Sequence, residues 1–249
     1  VETGEGVVAV DGTLAVSDGR ALRERVRSLG KPLLAVLVTH AHPDHYGAIV
    51  ELVGDDDVPV IATAGVDAVI RRDDALKEQI LRPMFGDEWP AERTFPNRKV
   101  SDGETLELGG AAFTVRDLGP GESPHDSMWL LGDDRQTIFI GDQVYDHKHA
   151  FLGDGFYEEW LGHLDRLGKE LPADATLYPG HGGQVTPAHF DWQREYIETF
   201  LDAVRQAVES VGRPVAGLAL CGAMHSLVGL DARAAPVTPL LTWADDRAA

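Results

Sequence analysis

Along the first sixty residues the apolar positions form short blocks separated by polar, glycine and proline residues. Gly6–Asp11, "GVVAVD", reads as a short buried strand. Ser17 or Asp18 is placed to cap a helix in which Leu22, Val26 and Leu29 share a face, and Gly30 and Pro32 end it. Leu33–Val38 is continuously apolar, as in a strand covered on both faces. A helix starting near Pro43 would bury Ile49, Leu52 and Val53, and Pro59–Ala62 reads as another strand. Gly65–Phe85 has helical spacing with Val66, Val69, Ile70 and Leu76 apolar, and Pro83, Pro90 and Pro96 interrupt regular structure over the next dozen or so positions. From Leu106 to Ile140 the period changes: "TLELGG", "AAFTVRDL", "SMWLLG" and "TIFIGD" are short strands of a meander. Trp160, Leu164, Leu167 and Leu171 then mark one helical face. Ala175–Tyr178 is a strand, and Ile197, Phe200, Val204, Ala207 and Val211 form the stripe of a long helix. No Gly/Ser linker divides the series, so it predicts a single α/β domain over 1–249, with mixed sheet layers and helices outside.

Charge narrows the function. The 249-residue chain has 41 acidic against 22 basic side chains, a formal net charge of −19. Its longest basic runs are pairs such as Arg71–Arg72, so nucleic acid and anionic membrane surfaces are disfavoured as partners and a small-molecule substrate fits better. No apolar run approaches the ~20 residues of a membrane-spanning helix. Cys221 is the single cysteine, so no intrachain disulfide is possible and the expected location is cytoplasmic. The chain starts at Val1 without Met and enters at once on a strand, which suggests that the natural chain begins earlier.

Candidate chemistry is concentrated in "VLVTHAHPDHYGA", Val36 to Ala48, where three histidines and an aspartate come directly after the apolar run. Alternate residues of a strand face the same side, so His40 and His42 point together as the strand ends. Asp44 and His45 sit on the turn into the next helix and converge from another direction. Neutral imidazoles plus a carboxylate make a ligand shell for a divalent metal.

This H-x-H-x-D-H spacing resembles the metallo-β-lactamase superfamily, and three further residues occur downstream in the expected order. They are His125 in "GESPHDS", Asp142 at the end of "TIFIGD", and His181 after "ATLYPG". The resemblance implies a four-layer αββα sandwich, here lacking its first strands, with metals at one edge. It implies that His40, His42 and His125 hold one divalent ion, that Asp44, His45 and His181 hold a second, and that Asp142 bridges them. Zn²⁺ is the expected metal, with Fe or Mn as alternatives. No cysteine stands at a ligand position, which separates the chain from the lactamase subgroup that uses a thiolate. His42 rather than Glu in the core motif separates it from the flavo-diiron relatives. The implied activity is hydrolysis of an ester, thioester, lactone or related carbonyl compound by a hydroxide between the metals, with Asp44 and Asp142 as the catalytic carboxylates. The alternatives are a persulfide dioxygenase with one iron, a true β-lactamase, and a metal-binding protein without turnover.

Other features have plainer readings. Gly180, Gly182 and Gly183 would let backbone come close to the metals. Ser123 and Ser127 would bind substrate or satisfy local backbone. The stretch "YDHKHAFLGDG" would form a loop over the pocket, with Tyr145, Phe151 or Phe156 near substrate. Asp18 and Asp117 read as surface acids, and His163 as a surface or partly buried residue. Cys221 and His225 are four apart, and a buried inert thiol is the expectation there.

Overall fold

The structure, a computed structural model, describes residues 1–132, 136–212, 217–220 and 227–230. The Cys221–His225 pair lies outside the described residues. The chain divides into two compact units, Val1–Phe190 and Asp191–Ala249.

The first unit holds two sheets. In chain order it runs β1 (Val7–Val10), α1 (Val16–Ser28), β2 (Leu33–Leu37), α2 (Pro43–Tyr46), α3 (Ile49–Val53), β3 (Val60–Thr63), α4 (Ala64–Phe85) and β4 (Arg98–Val100). It continues β5 (Thr105–Leu108), β6 (Ala111–Gly119), β7 (Asp126–Leu131), β8 (Thr137–Gly141), α5 (Tyr157–Glu170) and β9 (Thr176–Pro179). Strands β1 to β4 form a parallel sheet in sequence order. Strands β5 to β9 form the second, antiparallel except for the β8–β9 pair. The second unit contains most of α6 (His189–Ser210) and the antiparallel pair β10 (Gly217–Leu220) and β11 (Leu227–Leu230).

Strand alternation explains the layers. Val8, Ala35, Leu37 and Ile61 point from the first sheet into a core shared with Phe113, Val115 and Trp129 of the second. Their neighbours Val7, Ala9, Val36, Val38, Val60 and Ala62 point the other way, onto Val26 of α1, Ile49 and Leu52 of α3, and Val66, Val69 and Ile70 of α4. That is why β2 is apolar at every position: each of its faces meets a core. On the second sheet, Trp160 of α5 donates its indole N–H to the Gln143 carbonyl at 3.0 Å, and His163 bonds the Gln143 side chain at 3.1 Å. The layering is therefore the expected αββα sandwich.

Several local expectations change. Helix α1 starts after Ala15, with no side-chain cap at that residue; the Ser17 N–H is taken instead by Glu88 Oε2, 71 residues away, at 2.9 Å. Helix α4 is capped by Thr63, whose hydroxyl accepts from Val66 N, and it runs through Pro83 to end at Gly86, φ +57°. Pro83 has no N–H to give to the Gln79 carbonyl, so the helix forgoes that bond in its final turns. Leu76 is 58% exposed rather than core, because the buried face of α4 stops at Asp74. Strand β4 carries no apolar signal in the sequence: its "RKV" is mostly charged and exposed, and it pairs only at the sheet margin.

Candidate metal centre

The chemistry-bearing residues sit on loops at one edge of the two sheets: after β2, before β7, after β8 and after β9. His40 makes an isolated bridge with Asp126, so the loop leaving the first sheet is stitched to the start of β7 in the second. The Ser127 hydroxyl donates to the Thr39 carbonyl at 2.7 Å in the same seam. Ser123 donates to Asp126 Oδ1 at 2.6 Å, and Gln143 donates to Asp126 Oδ2 at 2.9 Å. Both serines are thus buried structural donors.

Among the described residues the edge gathers two separate groups of donor atoms, with Asp11, His40 and His45 a third that overlaps both. His40, His42 and Glu122 form one, and Asp44, His45 and His181 the other, the ligand atoms within each group lying within 4.8 Å of one another. Asp142 lies between them: its carboxylate is 3.5 Å from His45 Nε2, 3.3 Å from His181 Nε2 and 4.0 Å from His40 Nε2. Of the seven residues singled out by sequence, six therefore come together. His125 does not. Its Nε2 is 2.7 Å from Asp117 Oδ1, and its ring packs on Gly65, where an added Cβ would fall 2.1 Å from the imidazole. Asp117 is accordingly not a free surface acid but the partner of this ring. Glu122, three residues earlier in "GESPHDS", takes the place expected for His125, with Oε2 3.0 Å from His42 Nδ1 and 3.5 Å from His40 Nε2.

Each imidazole from the first motif is anchored by one nitrogen and presents the other to the centre. His40 Nδ1 meets Thr39 Oγ1 at 3.0 Å, His42 Nε2 meets Asp154 Oδ2 at 2.9 Å, and His45 Nδ1 meets Asp11 Oδ2 at 2.8 Å. Such outer partners fix the tautomer and aim the remaining nitrogen. Asp11 also accepts from Thr39 N and Oγ1, both at 2.7 Å, and holds a left-handed φ of +59°. Replacing Asp11 with alanine would free the His45 ring and strip Thr39 N of its acceptor. Metal affinity is expected to fall about 10–100-fold, measurable by titrating the metal-free variant; unchanged affinity would show that Asp11 does not orient the ring.

The electrostatics are those of a buried, mutually opposed set. Burial and repulsion from His45 hold the His40 pKa well below its ordinary value. Burial opposes charge on His42, but Glu122 and Asp154 lift it to about 10. For His45 burial again opposes, while Asp142 and Asp11 raise it. Hydrogen bonds that its ring gives to the Asp142 and Asp44 carboxylates lift His181 to about 10. Burial pushes Glu122 up to about 8 despite His42 beside it. Burial works in the same sense on Asp142 and Asp44, yet the imidazoles keep both carboxylates low.

Around the centre, Tyr145 donates its hydroxyl to Glu122 Oε1 at 2.8 Å and stacks on the His181 ring at 5.3 Å. The half-exposed Phe151 packs edge-on to His42 at 5.0 Å, while Phe156 instead precedes α5. Asp146, His147 and His189 bring one ligand atom each within 4.8 Å in a more exposed group, and Asp146 accepts from Gly183 N at 2.9 Å. His163 is buried, not superficial, and burial depresses it to about 4. Sequence reading missed Glu122, Asp11 and Asp154. A buried-looking carboxylate between two glycine- and proline-rich turns was the one available signal for Glu122.

A two-sheet sandwich with paired imidazole–carboxylate groups at one edge defines the class. The model of the metallo-beta-lactamase superfamily matches residues 1–182, and the chain belongs to that superfamily. Among curated relatives, a hydroxyacylglutathione hydrolase of Prochlorococcus marinus is 29% identical over 64% of this chain and 54% of its own length. One of Methylococcus capsulatus is 30% identical over 84% of this chain and 70% of its own length. Relative to the first of these, the match spans only about half of the curated protein. A metallo-beta-lactamase from Pontibacter korlensis superposes with TM-score 0.65 at 19% identity, covering 80% of this chain and 85% of that one, a likeness of fold. No helix among the described residues is long and apolar enough to cross a membrane.

Proposed function

We propose that the chain is a hydrolase that uses two divalent metal ions to cleave a thioester or a related ester or lactone. One observation carries this reading. His40 Nε2, His45 Nε2, Glu122 Oε2 and Asp142 Oδ1 are all buried without a hydrogen-bond partner, and all belong to the same edge cluster. Unpaired buried polar atoms are costly, and four converging donors fit a cation. On this reading His40, His42 and Glu122 hold one ion, Asp44, His45 and His181 hold the other, and Asp142 serves both. Zn²⁺ is the first candidate, with Fe or Mn as alternatives. Bound metal would supply Lewis acidity and lower the pKa of a coordinated water to about 7.

The chain's own residues do the rest. Asp11, Asp154 and Thr39 keep three rings aimed inward. Asp44, kept ionised by His181 and His45, holds its carboxylate at the solvent-facing side of the centre. Tyr145, which burial and the Asp142 and Glu122 carboxylates keep protonated, steadies Glu122. Phe151 offers an apolar wall beside His42. Metal analysis of the purified protein separates this reading from the single-iron dioxygenase alternative: two zinc ions favour hydrolysis, and one iron with oxygen uptake favours the dioxygenase. The hydroxyacylglutathione hydrolase relatives favour a thioester among the carbonyl substrates.

The test is a panel of 2-hydroxyacyl-glutathione thioesters, lactones, aryl esters and β-lactams. Thioester hydrolysis is expected to be lost in chelator and restored by added divalent metal. A fully loaded protein that cleaves none of the panel, or one that turns over unchanged in excess chelator, would refute the assignment.

Metal uptake should also depend on pH. His42, His45, His181 and Glu122 hold protons more tightly than usual in the metal-free protein, and a cation must displace them. Apparent affinity is therefore expected to rise with pH, toward the value of about 10 reached by His42 and His181, with protons released on binding. Calorimetry in buffers of different ionisation enthalpy reads that release; its absence would place the cation elsewhere.

A further inference from the structure

We infer that Glu122 tunes the first metal position toward harder cations, so that it favours Zn(II) over Mn(II) less than the same position with a third imidazole would. The inference rests on the proposed metal centre and concerns what this chain's own departure does to it.

The geometry assigns the position to a carboxylate. Glu122 is 2% exposed, its Oε2 lacks a hydrogen-bond partner, and that oxygen faces His42 Nδ1 and His40 Nε2. The nearby histidine is committed elsewhere: His125 is paired with Asp117 and wedged against the backbone of Gly65. The carboxylate is also held in place. Tyr145 Oη donates to Oε1, which leaves Oε2 to face the imidazoles, and Ser123 N and Oγ tie the next residue in the chain to Asp126.

The donor chemistry then differs between the two possible sets. With Glu122 the first group offers two imidazoles and a carboxylate, matching the two imidazoles and carboxylate of Asp44, His45 and His181. Counting Asp142 once, the centre has four imidazoles and three carboxylates. Carboxylate oxygens suit hard ions such as Mn(II), whereas imidazole suits Zn, Fe, Cu and Ni. The intrinsic order of affinities still favours Zn(II) over Mn(II). What Glu122 changes is the size of that preference. The extra negative charge also offsets more of the charge of two divalent ions held close together.

The experiment uses the whole chain, freed of metal and titrated calorimetrically with Mn(II) and with Zn(II), for wild type and Glu122→His. At one of the two positions the ratio of Zn(II) to Mn(II) affinity is expected to rise about tenfold in Glu122→His. Two bound metals with the same ratio at both positions in both proteins would overturn the inference while leaving the hydrolase reading intact. A wild-type chain that takes up neither metal would overturn both. Pulsed EPR of Mn(II)-loaded wild type does not depend on the variant folding. It should count two coordinated imidazole nitrogens per ion, and three at either ion would mean that a histidine, not Glu122, completes the set.

Discussion

Asp142→Ala is expected to lose bound metal and hydrolysis together. The Asp142 carboxylate lies within 4.0 Å of rings from both donor groups, and it is buried. On the proposed reading its removal takes a ligand from each ion and leaves Asp44 to face both His45 and His181. Lewis-acid stabilisation is worth several kcal/mol, so kcat/KM should fall about 10³-fold. Metal content measured by plasma mass spectrometry should fall in parallel. A variant that keeps two metals and wild-type turnover would remove Asp142 from the centre.

The second large effect is expected from one methyl group. Gly180 directly follows β9, just before His181, and a Cβ there would lie 2.1 Å from Asp142 Oδ1 and 2.4 Å from His45 Cε1. Neither neighbour can yield cheaply. The His45 ring is pinned by Asp11, and Asp142 comes directly after Gly141, which itself holds a left-handed φ of +58° against Thr39. Gly180→Ala should therefore displace His45, Asp142 or the His181 loop, with loss of at least one metal equivalent and a fall in activity comparable to that of Asp142→Ala. By contrast, Gly155→Ala meets no atom within 4 Å, although its φ of +84° carries backbone strain. It should retain full metal content. Equal metal content in Gly180→Ala and wild type would mean that the loop is not packed against the ligands as described.

The contrast between His125 and Glu122 shows where sequence reading stops. Both lie in the turn between β6 and β7, three positions apart, and both are chemically able to bind metal. Nothing in local periodicity distinguishes them, because the turn obeys neither the strand nor the helix repeat. The outcome is decided by residues distant in sequence. Gly65 leaves room for the His125 ring, Asp117 pairs with it, and Tyr145 receives Glu122. The anchoring carboxylates behave alike: Asp11 and Asp154 reach His45 and His42 across 34 and 112 positions.

Spacing alone was enough for the strand–helix order apart from β4, β10 and β11, for the double-sided burial of β2, and for His40 and His42 facing one way, with ring centroids 4.9 Å apart. These properties depend on backbone geometry over a few residues, which repeats every two or 3.6 positions. Only the tertiary structure brought Glu122 rather than His125 to His40 and His42 and supplied the outer hydrogen bonds that aim each ring. Those choices depend on which loops the packed sheets bring to a shared edge, and on which polar atoms burial then leaves facing one another.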